Sequence, residues 1–302
     1  MTRRFDIAAD GLAATMVLGA SAVLFGLTPL FARALQADGM SDAAIALSRF
    51  VFTALCLWPF LPRAREKRGE ALLLFGAGVA MGAGWIGWLE AIRSAPVAAA
   101  GVVYMSYPLF TVLFAWLVAG LPPGRRAVAA AALVLAAAAL LLRPGALAPE
   151  AFAALLWSLP APVTFGFIIV ALTALTPRLR TLEKMACGLG GAALGLAPVA
   201  ALGAGGALVP GSLEGWALLV ALGVGTAFLP QLGYTLAAPR VGPARAAATG
   251  AVELPTMIAI GWLSFGETVG VREIAAAALV IAAIFLAPAV RAERAGRPAP
   301  RA

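Results

Sequence analysis

One acidic residue, Glu253, lies deep inside an otherwise apolar run of the chain, 243–263. A carboxylate at the middle of a bilayer-length helix is costly unless it is paired, hydrated or protonated, and it usually faces a cavity. Thr249 and Thr256 share one helical face with Glu253, at i, i+4 and i+7 spacing. This polar stripe predicts contact with an amine or exchange of a proton. A structural hydrogen bond to a neighbouring helix is the alternative.

Two further charged residues, Arg49 and Glu90, also lie within apolar runs. We expect them to form an intramembrane charge pair, satisfied by each other or by backbone groups, because an isolated buried charge is strongly unfavourable. The functional alternative is recognition of a zwitterion by one base and one acid.

Aromatic and amide side chains recur at i, i+3 spacing near these charges, as in Trp85 with Trp88 and Tyr104 with Tyr107. Buried tyrosine needs a hydrogen-bond partner, which favours a polar cavity, whereas anchoring at the membrane interface is the alternative. Phe25 and Phe165 are expected to bracket an apolar pocket or simply to pack. The predicted substrate-binding residues are Glu253, Tyr104, Tyr107, Trp88, Gln231, Tyr234, Thr249, Phe25 and Phe165.

Two prolines, Pro108 and Pro255, are predicted in the middle of helical spans. A proline there frees a carbonyl and bends the helix. We expect these bends to act as gates or hinges, with static kinks as the alternative.

Two pairs of glycines, Gly78 with Gly82 and Gly191 with Gly195, are spaced four residues apart. Such small-residue motifs let helix backbones approach closely. We expect them to mediate packing within the fold rather than dimerisation.

The elements that must position these residues are apolar helices. Hydrophobic residues make up 62% of the 302-residue chain, charged residues only 12%, and the mean hydropathy is +0.96. About 20 apolar residues match a hydrocarbon core of roughly 30 Å. The pattern predicts an all-α polytopic membrane protein with ten transmembrane helices. The predicted spans are 13–34, 43–62, 71–92, 96–118, 126–143, 151–175, 183–204, 214–237, 243–263 and 271–290.

Composition argues against several enzyme classes. The chain has no histidine, so catalytic systems that use a histidine base and imidazole metal sites are excluded. All four aspartates lie at the N-terminus or in the first loop, which excludes an intramembrane aspartyl protease. Nucleotide-binding glycine loops are also absent. We therefore expect no catalytic residues, no metal and no cofactor.

The basic residues predict the orientation in the membrane, because Lys and Arg concentrate in cytoplasmic loops. With a cytoplasmic N-terminus, seventeen of the 22 basic residues fall inside, four fall outside and Arg49 lies within a span. Both termini, including a basic tail at 291–302, are thus predicted to be cytoplasmic. This bias explains the net charge of +8 without a nucleic-acid partner.

Shifting the chain against itself by 147 positions aligns Gly76 with Gly223, Pro108 with Pro255, and other Gly, Pro and Arg residues. The chain therefore divides into two five-helix halves, 13–143 and 151–290. Because five is odd, the second half starts on the opposite side of the membrane, which gives an inverted-topology repeat. In such transporters the substrate site lies near the midplane between the halves.

The repeated motifs resemble the ten-helix EamA type of the drug/metabolite transporter superfamily. The resemblance rests on a helix connection at 91–96, recurring at 238–243, each followed by an apolar helix. That helix carries Pro108, Trp116 and Gly120 in the first half. In the second half it carries Glu253, Pro255, Trp262, Gly266 and Glu267. The family usually has Glu directly before the proline, whereas Glu253 stands two residues before Pro255.

Within this superfamily the chain looks most similar to YddG-like amino-acid exporters. The resemblance implies a secondary transporter of small metabolites, above all neutral or aromatic amino acids, working by alternating access. It also implies a multi-pass protein of the bacterial inner membrane, and we expect a monomer. The alternatives are a translocase for lipids or amphipathic drugs and, less favoured, a membrane-embedded enzyme.

Overall fold

A computed structural model describes residues 7–94, 103–141, 149–202, 206–266 and 268–288. These ranges contain α-helices and no strand, apart from one isolated parallel bridge between Met40 and Ala207. The α-helices are α1 (Ile7–Gly26), α2 (Thr28–Ala37), α3 (Asp42–Leu57), α4 (Arg68–Ser94), α5 (Tyr107–Leu117), α6 (Arg125–Leu141), α7 (Pro149–Trp157), α8 (Pro160–Val170), α9 (Thr181–Leu202), α10 (Leu213–Gly223), α11 (Leu229–Val241), α12 (Pro243–Gly250), α13 (Glu253–Phe265) and α14 (Val271–Leu286).

Seven helical segments of the described chain are long and apolar enough to cross a membrane. They are Gly11–Ala37, Asp42–Phe60, Arg65–Trp88, Pro149–Leu175, Thr181–Ala201, Leu213–Val241 and Pro243–Phe265. The other three predicted spans coincide with the shorter helices α5, α6 and α14, next to residues outside the described ranges. An all-helical membrane protein is confirmed, and the number ten stays a prediction. The tail 291–302 lies outside the described residues.

Four of these spans are interrupted rather than continuous. In each case the following helix carries a proline in its first turn, where the missing N–H has no intrahelical acceptor. The predicted bends at Pro108 and Pro255 coincide with two of these interruptions, where the backbone keeps right-handed helical dihedrals. Their role as gates or hinges stays a prediction. The interruptions lie at Leu27, Met105–Ser106, Ser158–Leu159 and Ala251–Val252.

Two π-helical turns, Ala171–Leu175 and Val224–Phe228, interrupt the regular hydrogen-bond ladder. In each turn one carbonyl accepts a hydrogen bond from a buried cation of another helix. Lys184 Nζ donates to Leu172 O at 2.7 Å, and Arg49 Nη2 donates to Thr226 O at 2.7 Å. The two cations thus satisfy carbonyls at sites where π-turns commonly mark function.

Helices α4 and α9 pack backbone against backbone. A Cβ added to Gly78 would lie 2.2 Å from the carbonyl oxygen of Gly188, and one on Gly82 would lie 2.2 Å from that of Ala192. Reciprocally, a Cβ on Gly195 would lie 2.2 Å from Val79 O. The predicted role of these glycines in close packing within the fold is confirmed. We call this contact the glycine seam.

Polar loops join neighbouring spans at opposite ends of α3. At one end, which we call the Asp38 end, the Asp38 carboxylate accepts hydrogen bonds from the backbone N–H groups of Gly211 (2.9 Å) and Ser212 (3.3 Å). At the other, the Lys67 end, Lys67 forms a 2.7 Å ion pair with Glu183. These contacts define the two faces between which the site lies.

Candidate functional site

A cavity of about 550 Å³ lies among the interrupted helices. Its walls come from α1, α2, α3, α4, α6, α8, α9, α11 and α13, together with Leu172 in the first π-turn and with Tyr104 and Met105 before α5. It reaches the surface at the Asp38 end, where its lining residues Arg33 and Gln36 are exposed. Its deep end is lined by the buried side chain of Lys184 and by Gly188. The site is thus a deep pocket that opens at the Asp38 end.

Most of the predicted binding residues meet at this cavity, although their roles in binding stay predictions. Two do not line it. Tyr107 is buried and donates from its hydroxyl to Ala247 O at 3.0 Å, and Thr249 is buried beside α1. The residues that do line the cavity are Glu253, Tyr104, Trp88, Gln231, Tyr234, Phe25 and Phe165.

Tyr104 lies at the centre of an aromatic wall. Its ring stacks on Phe165 with centroids 5.8 Å apart, and it contacts Trp88 at 5.9 Å and Trp85 at 6.4 Å. Trp85 and Trp88 are themselves 4.9 Å apart. Tilted and edge contacts at these separations are favourable for aromatic pairs, so the wall is a preformed apolar surface.

Glu253 begins α13, directly after the interruption at Ala251–Val252. Its carboxylate faces the cavity and has no hydrogen bond or ion pair within 4 Å among the described residues. The interruption thus places the Glu253 carboxylate in the first turn of α13, at the wall of the cavity.

Arg49 lies across the same cavity and is 8% exposed. Besides its Nη2 bond to Thr226 O, its Nε–H has no acceptor among the described residues. The predicted pair with Glu90 is wrong, because Glu90 is exposed and accepts a 2.9 Å hydrogen bond from Ser94 Oγ. A backbone carbonyl satisfies Arg49 instead, and Glu253 is the acid whose charge acts on it.

Sequence reasoning missed Lys184, which counted as a cytoplasmic loop charge. The structure places it in the first turn of α9, with its ammonium buried against Leu172 O. A lysine near the predicted end of a span carries no sequence signal that separates these two positions. Phe50, Met81 and Met185 also line the cavity and were indistinguishable from core residues.

Comparison with known proteins identifies part of the chain. Residues 12–143 match the family model of the EamA-like transporter family. This stretch is therefore similar to EamA-like transporters. Together with the apolar helices, the match indicates a multi-pass membrane protein. No curated protein matches the chain.

The fold also has matches among solved structures, of which 23 chains are similar. One, described only as "Crystal structure of protein", is 21% identical, with a TM-score of 0.73, and covers 94% of this chain and 99% of its own. At this identity the likeness concerns the fold alone.

The stretch that matches the EamA-like family contributes only part of the cavity. It supplies Arg49, Trp88 and Tyr104, whereas Phe165, Gln231 and Glu253 come from the rest of the chain. A solute in the cavity would therefore touch both halves of the chain. The combination of an apolar aromatic wall with one base and one acid can hold a small molecule that has an apolar body and charged ends.

Proposed function

We propose that this protein is a secondary transporter that exports neutral or aromatic amino acids. The observation that carries the proposal is the cavity in which Arg49 and Glu253 face an aromatic wall. Ligand sites of this size are typically apolar, with a few polar groups that fix orientation. Aromatic faces also attract an ammonium group.

The distribution of charge argues against phosphorylated sugars as substrates. Such ligands bind to several basic side chains, because each phosphate needs multiple donors. Of the cavity's two buried cations, Lys184 is engaged by a carbonyl and Arg49 is partly engaged. The remaining donors suit one carboxylate better than a phosphate.

Alternating access between two inverted halves is the mechanism we propose. Interruptions occur in the first and fourth predicted spans and in the sixth and ninth, which correspond under the repeat. The packing shows the same correspondence, because the first predicted span of each half contacts the third span of the other half. Helix α1 contacts α11, and α8 contacts α4. Interrupted helices around a midplane site are typical of secondary transporters.

For the orientation we propose ten spans, with both termini in the cytoplasm of a bacterial cell and the protein in its inner membrane. In support, Arg65, Lys67, Arg178 and Arg180 gather at the Lys67 end. The cavity would then open outward in this conformation. We propose that the monomer is the working unit, because the cavity is formed within one chain.

Flux in proteoliposomes tests the proposed function. Liposomes loaded with labelled phenylalanine, methionine or threonine should release them faster when they contain the protein, without ATP. Cells that overexpress the protein should tolerate toxic amino-acid analogues. Movement of fluorescent lipid or sugar phosphate, with no movement of the three amino acids, would contradict the proposal.

A further inference from the structure

We infer that Arg49 and Trp88 together form a subsite for the carboxylate group of the transported solute. This inference rests on the proposed function and deepens it, because it assigns one end of the substrate to named atoms. The family match says nothing about these side chains. The inference comes from two residues that line the cavity and that each carry a buried hydrogen-bond donor without an acceptor among the described residues.

The first donor is Arg49 Nε–H. A guanidinium presents its N–H groups in a rigid planar fork, and one arm, Nη2, is fixed by Thr226 O at 2.7 Å. That bond orients the group and leaves Nε buried without an acceptor. A buried polar donor left unsatisfied is unfavourable, so this position favours a ligand or water oxygen.

The second donor is the indole Nε1–H of Trp88, which is also buried without an acceptor. An indole nitrogen can only donate, so it needs an oxygen partner. The ring is held by Trp85 at 4.9 Å and by Tyr104 at 5.9 Å. Its orientation is therefore set by the aromatic wall before any ligand binds.

The third buried atom of this kind, Thr249 Oγ1, does not line the cavity. The two cavity donors therefore call for a group with acceptors only. A carboxylate meets this requirement, since both of its oxygens accept hydrogen bonds and its charge complements Arg49. An amide or a hydroxyl would present donors as well.

Glu253 gives the subsite its polarity. Its charge acts on Arg49, yet the two side chains form no ion pair within 4 Å. A zwitterion can therefore lie between them, with its carboxylate at Arg49 and Trp88 and its ammonium toward Glu253. Its side chain would then rest on the wall of Tyr104 and Phe165. Solutes that lack a carboxylate should bind less tightly.

Three matched ligands test this assignment on the purified protein: phenylalanine, phenylalaninamide and 3-phenylpropionate. Calorimetry should show that wild type binds phenylalanine at least ten-fold more tightly than phenylalaninamide. Trp88→Phe keeps an aromatic ring but removes the indole N–H. The variant should therefore bind phenylalanine and 3-phenylpropionate about ten-fold more weakly, and its affinity for phenylalaninamide should be unchanged. Trp116→Phe, at an exposed position on α5, is the control and should change nothing.

Arg49→Lys supplies a second variant, which retains the charge but loses the fork geometry. It should reduce the preference for phenylalanine over phenylalaninamide. Arg49→Lys also removes the hydrogen bond to Thr226 O, which can unfold the protein. In that case the test of the inference is Trp88→Phe. If Trp88→Phe loses the same binding affinity for all three ligands, the carboxylate subsite is overturned. The two donors would then be interpreted as binding water.

The same titrations separate the two proposals. If 3-phenylpropionate binds with the predicted sensitivity but phenylalanine does not bind, the amino-acid proposal fails and the carboxylate subsite stands. If phenylalanine and phenylalaninamide bind equally, transport of amino acids can stand and the subsite fails. If neither carboxylate binds, both proposals fail.

Discussion

The guanidinium of Arg49 in α3 donates a 2.7 Å hydrogen bond to the carbonyl of Thr226, which lies in a π-helical turn 177 residues later in the chain. This hydrogen bond fixes the buried Arg49 cation and satisfies a carbonyl that lies outside the regular α-helical hydrogen bonding. It also joins the two predicted halves of the chain. Lys184 likewise satisfies the carbonyl of Leu172 in the other π-turn, although both of these residues lie in the second half. A buried charge that would otherwise be strongly unfavourable is held in place beside the cavity.

Glu253→Gln should reduce amino-acid flux about ten-fold or more, because it removes the negative charge that faces the substrate ammonium. The amount of folded protein should be nearly unchanged, since Glu253 makes no hydrogen bond among the described residues. Proteoliposome flux between about pH 5.5 and 8 measures the effect. Glu90→Gln, at an exposed glutamate, is the matched control. Wild-type flux in Glu253→Gln throughout this range would show that the residue is structural.

Gly78→Ala should destabilise the protein by about 1–3 kcal/mol, because the new methyl group would overpack the seam against Gly188 O. Gly76→Ala, two residues away on α4, meets no atom within 4 Å. It should be neutral or stabilise by up to about 1 kcal/mol through helix propensity. Apparent Tm values in detergent compare the two variants. Equal Tm values would mean that the helices can separate without penalty.

Asp38→Asn should change the pH dependence of stability. A hydrogen bond from the Ser212 side chain and the backbone N–H groups of Ser212 and Gly211 lower the pKa of the Asp38 carboxyl. A lowered pKa stabilises the fold above the ordinary Asp value, about 3.9, and this contribution is lost as pH falls through the lowered pKa. The Tm difference between wild type and Asp38→Asn should therefore be constant from about pH 5 to 8 and shrink below about pH 4.

Ser212→Ala provides a comparison for that experiment. Ser212 also caps α10 by accepting a hydrogen bond from Gly215 N at 2.8 Å, so the lost cap should destabilise by about 1 kcal/mol. Because the Ser212 side chain is also the main cause of the lowered Asp38 pKa, Ser212→Ala should in addition reduce the part of the stability that depends on pH. A Tm difference for Asp38→Asn that does not change with pH would argue against the lowered pKa.

Single cysteines at Ser212 and Arg65 should react with membrane-impermeant reagents from opposite sides of the membrane. Ser212 lies at the Asp38 end, whereas Arg65 lies next to Lys67 at the other end. The experiment needs a background without Cys56, which is exposed, and Cys187. Arg65 should be labelled from the cytoplasmic side. Labelling of both positions from one side would overturn the orientation and the inverted repeat.

The helices were predictable because apolar runs of membrane length leave few alternatives for the backbone. The close approach at Gly78 and Gly195 was predictable from spacing alone, since only small residues allow it. The position of Glu253 at a cavity also followed from the sequence, because ionisable side chains in apolar helices usually face a cavity or the interior of the bundle.

The features that the sequence did not predict lie mainly in the backbone geometry. Pro108 and Pro255 indicated disturbed helices, but the sequence did not show that tyrosine hydroxyls would donate to backbone carbonyls near these breaks, as Tyr107 does to Ala247 O and Tyr234 to Ala246 O. The π-turns that engage Arg49 and Lys184 likewise leave no pattern in the sequence.

The glycine seam has a mechanical consequence. Side chains at an ordinary helix contact can change rotamer and let the helices slide, but a contact between backbones has no such freedom. Helices α4 and α9 should therefore move together as one rigid unit, and conformational changes should occur in the interrupted helices beside them. Spin labels on α4 and α9 should keep a fixed separation, while labels on α2 and α13 should move relative to this unit.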